Sequence, residues 1–371
     1  MARIERYGRA LAREAELVAA AIPASAGVAH LHFGGGSPDA LGAKGLATLL
    51  AALRSTFALR PDAEIAAELD PRNLDAPTVE ALGRGGLTRA SLGVQDISPD
   101  VQARIGRTQP AELVATSVER LRQAGVADIN LDIMYGLPGQ TVDHVVATAR
   151  FVASLGAARV AAFGYAHVPW MRKHQNAIDT TLLPDAAERL RQAYAIEAVL
   201  RAEGYIVIGM DHFARPDDAM ARAAAAKALR RNFQGYTTDD APVLIPLGAS
   251  AIGHTPCGFA QNDPNERRWL AAIEAGRLAT ARGIAVTADD RLRAGLIETI
   301  MCNGAIARAA VPAEILASAM PRIAGLIADG LVVDDGSHLA ATEEGLRFLR
   351  HFAASFDAHL QTGGNRHSAA A

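Results

Sequence analysis

The sequence predicts an α/β protein: a TIM-like barrel, or an open relative of one, followed by a C-terminal helical domain of winged-helix type. Seven apolar runs end in glycine or polar residues, and amphipathic helical segments follow them. Strands that alternate with helices pair in parallel through right-handed crossovers, and seven such runs suit a TIM-like barrel or an open relative of one. Near residue 284 the pattern changes to helices and a hairpin. The seven runs are residues 28–36, 64–70, 89–96, 128–136, 159–167, 205–213 and 243–250.

The composition excludes several classes of protein. Of the 371 residues, 50% are hydrophobic and 21% are charged, so the chain has ample material for a core. Its 37 basic and 40 acidic side chains give a net charge of −3, which argues against a nucleic-acid partner and against disorder. The two cysteines, Cys257 and Cys302, exclude a disulfide-stapled secreted fold, and a cytoplasmic protein is expected.

The first 23 residues predict an amphipathic helix rather than a targeting segment. They are rich in arginine but also carry Glu5, Glu14 and Glu16, and they lack the apolar run of a signal peptide. Their apolar residues recur at helical spacing. No apolar stretch of about 18 residues occurs in the chain, so no transmembrane helix is expected.

Capping residues mark the helices between the predicted strands. Pro99 begins one helix, and Pro110 begins the next, which ends at Gly125. Thr141 caps a third helix, which ends at Gly156.

The C-terminal part predicts two helices, a hairpin and a last helix. The helical patterns cover residues 288–303 and 312–329, and a turn at Asp335 and Gly336 predicts the hairpin. Thr342 is the expected cap of the last helix, which extends to about residue 360. Such modules often bind DNA, but no basic stripe is present, so DNA binding is not expected. The predicted organisation is a barrel domain over residues 1–283, a helical domain over residues 284–360 and a disordered tail over residues 361–371.

Polar residues and glycines follow nearly every predicted strand. Because the carboxyl ends of barrel strands meet at one rim, where barrel enzymes hold their sites, these groups together predict a ligand site. A single such residue would be explained by the general preference of Asp, Asn, Ser and Gly for the turns that follow strands. Glu68 and Asp132 lie late in apolar strands, where a carboxylate needs a partner such as an amine, ribose hydroxyls or a structural arginine. The rim residues are Gly34, Gly35, Gly36, Ser37, Glu68, Gln95, Asp96, Asp132, Tyr165, Ala166, His167, Asp211, His212 and Ser250.

Two further patterns leave alternatives open. The three glycines from Gly34 let a ligand approach the backbone, or they form a flexible turn, and no phosphate-loop sequence surrounds them. Asp211, His212, Asp217 and Asp218 could hold a metal ion, but neighbours on a strand face opposite sides. No metal ligand is therefore predicted. The two cysteines lack a C-x-x-C partner and are expected to be ordinary buried thiols.

Eight stretches, in this order, resemble the oxygen-independent coproporphyrinogen III oxidases (coproporphyrinogen dehydrogenases) of the radical SAM superfamily. GGGSP and YGLPGQT are shared widely among radical SAM proteins, whereas GMDHFARPDD and RNFQGYTT are specific to this family. The resemblance covers roughly residues 5 to 360. The stretches are HFGGGSPDAL, AAELDPRNLD, RASLGVQDISPDVQARIGR, INLDIMYGLPGQT, FGYAHVPW, GYIVIGMDHFARPDD, RRNFQGYTT and LGASAIG.

The resemblance implies an oxidoreductase of heme biosynthesis with a partial barrel and a C-terminal helical domain. Its cofactors would be two molecules of S-adenosyl-L-methionine (SAM) and a [4Fe–4S] cluster held by a C-x-x-x-C-x-x-C motif. A radical derived from SAM would take hydrogen from propionate side chains of coproporphyrinogen III, and loss of CO2 from two of them would give protoporphyrinogen IX. An electron donor and an electron acceptor are further expected partners. The resemblance brings no nucleic acid and no membrane span, and a monomer is expected.

The family motifs also imply site residues. Gly35, Gly36 and Ser37 would contact the methionine ends of the SAM molecules. By the same resemblance Glu68 and Ile252 would belong to the first SAM site. The second SAM site would contain Gln95, Arg107, Asp132 and Ala166.

The substrate and catalytic residues are less fully specified. For the substrate propionates we advance the hypothesis of Arg215 and Arg231, because guanidinium groups bind carboxylates in a bidentate way. The motifs identify no catalytic residue.

One departure from the family pattern concerns the cluster. The three-cysteine motif would precede the first helix, together with the first barrel strand, and neither is present in the sequence. Cys257 and Cys302 cannot replace it, because the cluster needs thiolates at fixed spacing. The chain as written is therefore expected to lack the cluster and to leave one edge of the barrel unpaired. Two interpretations stay open: a start of the protein farther upstream, or a cluster-free relative that binds heme, porphyrin or SAM without catalysis.

Overall fold

The structure is a computed structural model that describes residues 2–22, 27–232 and 235–360. The tail predicted to be disordered, residues 361–371, lies outside the described residues. Contacts divide the chain into two compact units, which are described separately below. The predicted boundary at residue 283 between a barrel and a helical domain stays a prediction. The first unit comprises Met1–Val94, Gln109–Leu131 and Asp240–Val286, and the second comprises Gln95–Thr108, Asp132–Asp239 and Thr287–Ala371.

A seven-stranded sheet forms the framework of the fold. Its strands are β1 (Val28–Phe33), β2 (Leu59–Leu69), β3 (Arg89–Gln95), β4 (Asp128–Tyr135), β5 (Arg159–Gly164), β6 (Ile206–Gly209) and β7 (His212–Ala214). The strand order is β1-β2-β3-β4-β5-β7-β6. The β1–β2 and β2–β3 pairs are parallel, with Glu68 opposite Ser91, which confirms the predicted α/β organisation in this part of the sheet.

The helices that the sequence marks with capping residues begin and end as predicted. Pro110 precedes one helix, and Gly125 beyond its end has a φ of 89°. Thr141 caps another in a capping box with His144, and Gly156 beyond its end has a φ of 66°. The helices are α2 (Gly42–Thr56), α3 (Ala76–Arg84), α4 (Pro99–Arg104), α5 (Ala111–Gln123), α6 (Val142–Ser154) and α7 (Ala186–Ala202).

The sixth predicted strand, residues 205–213, is wrong as a single parallel strand. It divides into β6 and β7, which pair antiparallel, and β7 also pairs antiparallel with β5. Met210 lies at the reversal with a φ of 44°, a left-handed conformation that ends a strand and turns the chain.

The seventh predicted strand, residues 243–250, is also wrong. Among the described residues, it makes a single isolated β-bridge, between Leu244 and His254. Pro242 and Pro246 cannot donate backbone hydrogen bonds, so the run cannot continue as a paired strand.

The rest of the first unit consists of two helices and a small antiparallel sheet. The predicted amphipathic helix is present over Ala2–Ala21, and it buries Ala10 and Ala15. Ala10 packs in one cluster with the fully buried Trp269. These elements are α1 (Ala2–Ala21), α9 (Glu266–Glu274), β10 (Ile252–Thr255), β11 (Gly258–Asn262) and β12 (Thr280–Ala285).

The second unit contains the C-terminal elements around their own core. Ile300, Ile323, Leu339 and Phe352 form one buried cluster. The two predicted helices and the hairpin are confirmed. The further elements are α8 (Ala219–Ala225), β8 (Arg230–Asn232), β9 (Gly235–Thr237), α10 (Ala288–Asn303), β13 (Ala305–Ala307), α11 (Ala313–Ala328), β14 (Val332–Asp334), β15 (His338–Ala341) and α12 (Leu349–Ala354).

Two details of this part differ from the prediction. A third strand, β13, joins the hairpin in the order β13-β15-β14. The last helix is shorter than expected: a 3-10 turn over Gly345–Phe348 precedes α12. Thr342 accepts a hydrogen bond from the Gly345 N–H at 3.0 Å, as a capping residue would, but the 3-10 turn delays the helix.

No helix among the described residues is both long enough and apolar enough to cross a membrane.

Candidate functional site

The glycine run after β1 leaves its backbone open. Gly35 and Gly36 have φ values of 72° and 83°, which side chains rarely tolerate. A Cβ placed on either glycine would meet no described heavy atom within 4 Å. The backbone groups of this turn are therefore accessible to a ligand.

The Glu68 carboxylate, near the end of β2, faces this glycine run. Its Oε1 lies 3.3 Å from His32 Nε2, and its Oε2 accepts a hydrogen bond from the Gly35 N–H at 3.4 Å. The hydrogen bond with His32 lowers the pKa of Glu68, and burial opposes this effect without reversing it. Glu68 is therefore an ionised carboxylate that can bind an ammonium group.

A glycine is required at position 34 because the His32 and Glu68 side chains approach it closely, and not because of its backbone conformation. A Cβ at this position would lie 2.6 Å from His32 Nε2 and 3.2 Å from Glu68 Oε1. Any side chain here would displace the His32–Glu68 pair. His32 did not enter the sequence-based set of site residues, although it lies two positions before the glycine run on the same strand.

Ser37, expected to contact the SAM molecules, and Ile252, assigned to the first SAM site, lie in the same unit. Ser37 follows the glycines and precedes a 3-10 turn over Pro38–Leu41. Ile252 begins β10 opposite Gln261 and is half-buried. No described hydrogen bond joins Ile252 to the glycine run, so its place in this site stays a prediction.

The residues assigned to the second SAM site lie in the second unit. Gln95 ends β3 with a φ of 64°, a strained conformation for a residue with a side chain and one that often marks functional positions. Asp132 is half-buried within β4, and Arg107 is half-buried beyond α4. Ala166 lies two residues beyond β5 and lines a cavity described below. Their roles in binding SAM stay predictions.

A buried polar network fixes the loops beside Gln95. Asp96 is 1% exposed, and its carboxylate accepts hydrogen bonds from the Ser98 N–H and from Gln140 Nε2, each at 2.6 Å. Gln192 of α7 donates to the Gln140 carbonyl at 2.9 Å and accepts from the Gly136 N–H at 2.8 Å. Burial raises the pKa of Asp96. These side chains hold the QDIS and YGLPGQT loops in place.

A cavity of about 210 Å³ lies within the second unit, next to these loops. It is bounded by the ends of β4 and β5, the β6–β7 turn, α7 and α12. Its lining includes three arginines, one histidine and two carboxylates. The lining residues are Tyr135, Ala162, Phe163, Gly164, Tyr165, Ala166, Arg189, Leu190, Ala193, Ile196, Glu197, Met210, Asp211, Phe213, Arg347, Phe348, Arg350 and His351.

Both carboxylates of the cavity lie beside arginine side chains. Glu197 accepts from Arg347 at 2.6 Å and from Arg201 at 2.8 Å. Asp211 lies 3.1 Å from His212 Nδ1 and 3.5 Å from Arg350 Nη2. Burial opposes the ionisation of Asp211, but His212 and Arg350 outweigh it and hold the pKa of Asp211 below its usual value.

The two arginines suggested for the propionates do not line this cavity. Arg215 donates to the Glu203 carbonyl at 2.8 Å, and its guanidinium stacks 4.3 Å from the centre of the Tyr205 ring. The Arg231 guanidinium stacks 4.7 Å from the centre of the Tyr236 ring. These internal contacts account for both side chains, and their role in substrate binding stays a hypothesis.

The alternative metal site loses one of its four residues to a buried ion pair. Asp218 accepts from Arg159 Nε at 2.9 Å and caps α8 through the Met220 N–H at 2.7 Å. No group of three or more metal-ligating side chains occurs among residues 2–22, 27–232 and 235–360.

The two cysteines lie in different units. Cys257 is exposed in the turn between β10 and β11, whereas the prediction was a buried thiol. Cys302 is half-buried in α10, and burial raises the pKa of its thiol to about 11.

The sequence-based set of site residues missed the cavity arginines. Arg189 and Arg350 are separated by 160 positions of chain and lie in no recognised motif, so no local signal marks them. Gly136 and Gly164, which do lie in quoted motifs, were the available signal.

Comparisons with known proteins agree with this architecture. Residues 2–152 match the family model of the radical SAM superfamily. The chain is 48% identical, over 99% of its length and 83% of the relative, to an oxygen-independent coproporphyrinogen III oxidase of Bradyrhizobium diazoefficiens. It is 40% identical, over 99% of its length and 82% of the relative, to the enzyme of the same name from Paracoccus denitrificans.

A solved structure supports the same relationship. The coproporphyrinogen III oxidase of Escherichia coli, described as a radical SAM enzyme, matches with a TM-score of 0.92 at 34% identity, over 96% of this chain and 84% of that one. This match confirms the predicted α/β fold of radical SAM type. By its identity to these relatives over nearly its whole length, the chain belongs to the oxygen-independent coproporphyrinogen III oxidase family of the radical SAM superfamily.

Proposed function

We propose that this chain acts in the oxidative decarboxylation of coproporphyrinogen III to protoporphyrinogen IX in porphyrin biosynthesis. The observation that carries the proposal is the 48% identity to a coproporphyrinogen III oxidase over 99% of the chain. The change at each of two propionates is –CH2–CH2–COO⁻ → –CH=CH2 + CO2 + H⁺ + 2e⁻. The reaction therefore needs an electron acceptor, and radical SAM chemistry also needs an electron donor. A monomeric, cytoplasmic protein belongs to the same proposal.

Membership of the radical SAM superfamily implies SAM and a [4Fe–4S] cluster as cofactors. SAM, when bound, supplies the group that removes hydrogen from the substrate. The first unit offers a suitable cradle, because Gly35 and Gly36 leave space at the backbone and Glu68 is ionised. In the proposal Glu68 holds the amine of SAM, Ser37 adds a hydroxyl, and Ile252 adds apolar contact.

A second SAM molecule is a further part of the proposal. Arg107 would bind its carboxylate and Asp132 its amine, with Gln95 and Ala166 beside them. The strained backbone at Gln95 and the rigid network around Asp96 support a positioned site at this place.

The described residues do not fit the cluster. A [4Fe–4S] group is held by thiolates at fixed spacing, and the sequence has two cysteines, one of them with a raised thiol pKa. No step of the proposed function is assigned to a cluster on these residues.

The decisive experiment uses the product of the native gene, purified without oxygen. Its intact mass is measured first, against the 38.9 kDa of this sequence. It is then incubated with coproporphyrinogen III, SAM and a reductant, and protoporphyrinogen IX is quantified after oxidation to the fluorescent porphyrin. Formation of protoporphyrinogen with consumption of SAM is the expected result.

The same experiment separates the proposal from a carrier without catalysis. A product of 38.9 kDa that binds the porphyrin or heme but converts no substrate would refute the enzymatic proposal and support the cluster-free alternative. The Glu68→Gln variant, which keeps the side-chain size but removes the charge, is expected to weaken SAM binding by about tenfold.

A further inference from the structure

The cavity of the second unit has one lining arginine without a counter-charge among the described residues. Arg347 pairs with Glu197 at 2.6 Å, and Arg350 lies 3.5 Å from Asp211. Glu197 is further neutralised by Arg201. Within the described part of the chain no carboxylate lies within ion-pair distance of Arg189, so the cavity carries a net positive charge at this side chain.

Two glycines allow the Arg189 guanidinium to approach the strand ends closely. A Cβ at Gly136 would lie 3.3 Å from Arg189 Cζ, and one at Gly164 would lie 3.2 Å from Arg189 Nη2. The guanidinium therefore lies directly on the backbone that follows β4 and at the end of β5. Gln192, one turn farther along α7, fixes this helix to the first of these segments through the Gly136 N–H at 2.8 Å.

The Tyr135 hydroxyl lies beside the same guanidinium. A Cβ at Gly164 would be 3.0 Å from Tyr135 Oη, so the hydroxyl and Arg189 share the space above this glycine. The charges of Arg189, Asp211 and Arg350 all act on the hydroxyl. Burial raises the pKa of Tyr135, so the phenol stays protonated and can donate a hydrogen bond.

A guanidinium without a described counter-charge, beside a protonated phenol, has the chemistry to bind a carboxylate. Arginine presents paired N–H donors that match the two oxygens of a carboxylate. The cavity volume of about 210 Å³ is below the roughly 300–1,000 Å³ of pockets that enclose a drug-sized ligand. A volume of this size is sufficient for one short carboxylate arm.

We propose that Arg189 and Tyr135 bind one propionate side chain of the substrate in this cavity. The inference rests on the proposed function, because coproporphyrinogen III carries four propionates. Arg189 is then a specificity-determining residue that fixes the orientation of the ring. The methionine carboxylate of SAM has the same chemistry and is the competing source of the anion, which the experiment must distinguish.

The experiment measures binding rather than turnover. Coproporphyrin III, the fluorescent oxidised form of the substrate, is titrated with the full chain by fluorescence anisotropy, and its uncharged tetramethyl ester serves as the second probe. SAM is titrated separately by calorimetry. The variants are Arg189→Gln, Arg189→Lys and the control Arg191→Gln, whose arginine is exposed on the same helix and paired with Glu188 at 2.7 Å.

The expected result is a loss of coproporphyrin affinity that is largest when the charge of Arg189 is removed. Arg189→Gln weakens coproporphyrin binding by about tenfold or more, because a hydrogen-bonded ion pair is lost. Arg189→Lys keeps the charge without the paired donors, so its coproporphyrin affinity is expected to lie between those of the wild type and Arg189→Gln. The Arg191→Gln protein binds like the wild type. The tetramethyl ester shows no difference between the wild type and Arg189→Gln.

Several outcomes would overturn the inference. Equal coproporphyrin affinity of the wild type and Arg189→Gln refutes it and leaves the proposed function intact. A loss of SAM affinity alone in Arg189→Gln assigns the carboxylate to SAM and refutes the propionate site. A separate test monitors modification of Arg189 by phenylglyoxal with and without an excess of sodium propionate.

That test separates the inference from the proposed function. If the wild type binds no coproporphyrin but propionate protects Arg189, the tetrapyrrole function fails and the carboxylate site stands. If neither is observed, both proposals fail.

Discussion

Replacement of Glu14 by glutamine is expected to lower the free energy of unfolding by about 2 kcal/mol. Glu14 lies in α1 and is 1% exposed. Its Oε2 accepts a hydrogen bond from the Gly248 N–H at 2.6 Å. Its Oε1 accepts from Asn262 Nδ2 at 2.7 Å and from Trp269 Nε1 at 3.1 Å. One carboxylate thus ties α1 to α9, to β11 and to the LGASAIG loop before Ile252.

The magnitude follows from the number of donors that lose their acceptor. A glutamine can keep its one oxygen toward Asn262 and Trp269, and its amide nitrogen then faces the Gly248 N–H. Each buried donor left without a partner costs about 1–3 kcal/mol. Part of this loss is offset because burial destabilises the charged carboxylate of the wild type, as the raised pKa of Glu14 indicates. The neutral glutamine does not carry this cost. Glu14→Ala removes both acceptors and leaves a cavity, so a loss of about 4 kcal/mol is expected.

The assay is urea unfolding followed by tryptophan fluorescence, because Trp269 is fully buried in the wild type. The control is Glu16→Gln on the same helix. Glu16 is exposed and paired with Arg13 at 2.6 Å, so a change below about 0.5 kcal/mol is expected. The reasoning would be refuted if Glu14→Gln unfolded at the same urea concentration as Glu16→Gln.

The wild type and the Glu14→Gln variant also give a test of pH dependence. A carboxyl group whose pKa is higher in the folded state contributes stability below its ordinary value of 4.5, and this contribution is lost as pH rises through the folded pKa. The stability advantage of the wild type over Glu14→Gln is therefore expected to be larger at acidic pH than at neutral pH. An advantage that increased toward neutral pH would contradict the assigned direction.

Two further substitutions test the site and the core. Gly34→Ala is expected to weaken SAM binding severalfold in calorimetry, because its Cβ would lie 2.6 Å from His32 Nε2 and disturb the pair with Glu68; unchanged affinity would count against Glu68 as the group that binds the amine. Asp218→Asn is expected to lose about 3 kcal/mol in urea unfolding, because Arg159 would keep a buried charge without its counter-charge. A loss below about 1 kcal/mol would show that the Asp218–Arg159 pair is not critical.

The sequence was sufficient for elements whose signals are local. The helices that begin after Pro110 and Thr141 were predicted because a cap satisfies the first N–H groups from within a few residues. The predicted helix over residues 288–303 matches α10 for the same reason, with Thr287 and Asp290 in a capping box.

Local patterns failed where the chain reverses or cannot pair. The run over residues 205–213 is apolar throughout its middle, and periodicity cannot show that Met210 turns the chain into an antiparallel strand. The run over residues 243–250 is apolar but contains Pro246, whose missing N–H prevents continuous pairing.

The candidate site divides in the same way. The glycine run and Glu68 were found from the sequence, because strand ends and a carboxylate within an apolar run are visible locally. The contribution of His32 was not, since only the paired register of β1 and β2 brings it to Glu68. The Arg189 cavity was not found either, because neighbouring cations can be counted against carboxylates only after the chain has folded.

By itself, the sequence determined the fold class, the positions of most helices and the family, since these depend on periodicity, capping residues and motifs along the chain. The tertiary structure alone decided which charges are compensated and which are left for a ligand. Arg215 stacks on Tyr205 and bonds to a backbone carbonyl, whereas Arg189 lies on two glycines with no described carboxylate beside it. The physical reason is that the free energy of a charge depends on its neighbours in space and on its burial, and neither is a property of the linear sequence.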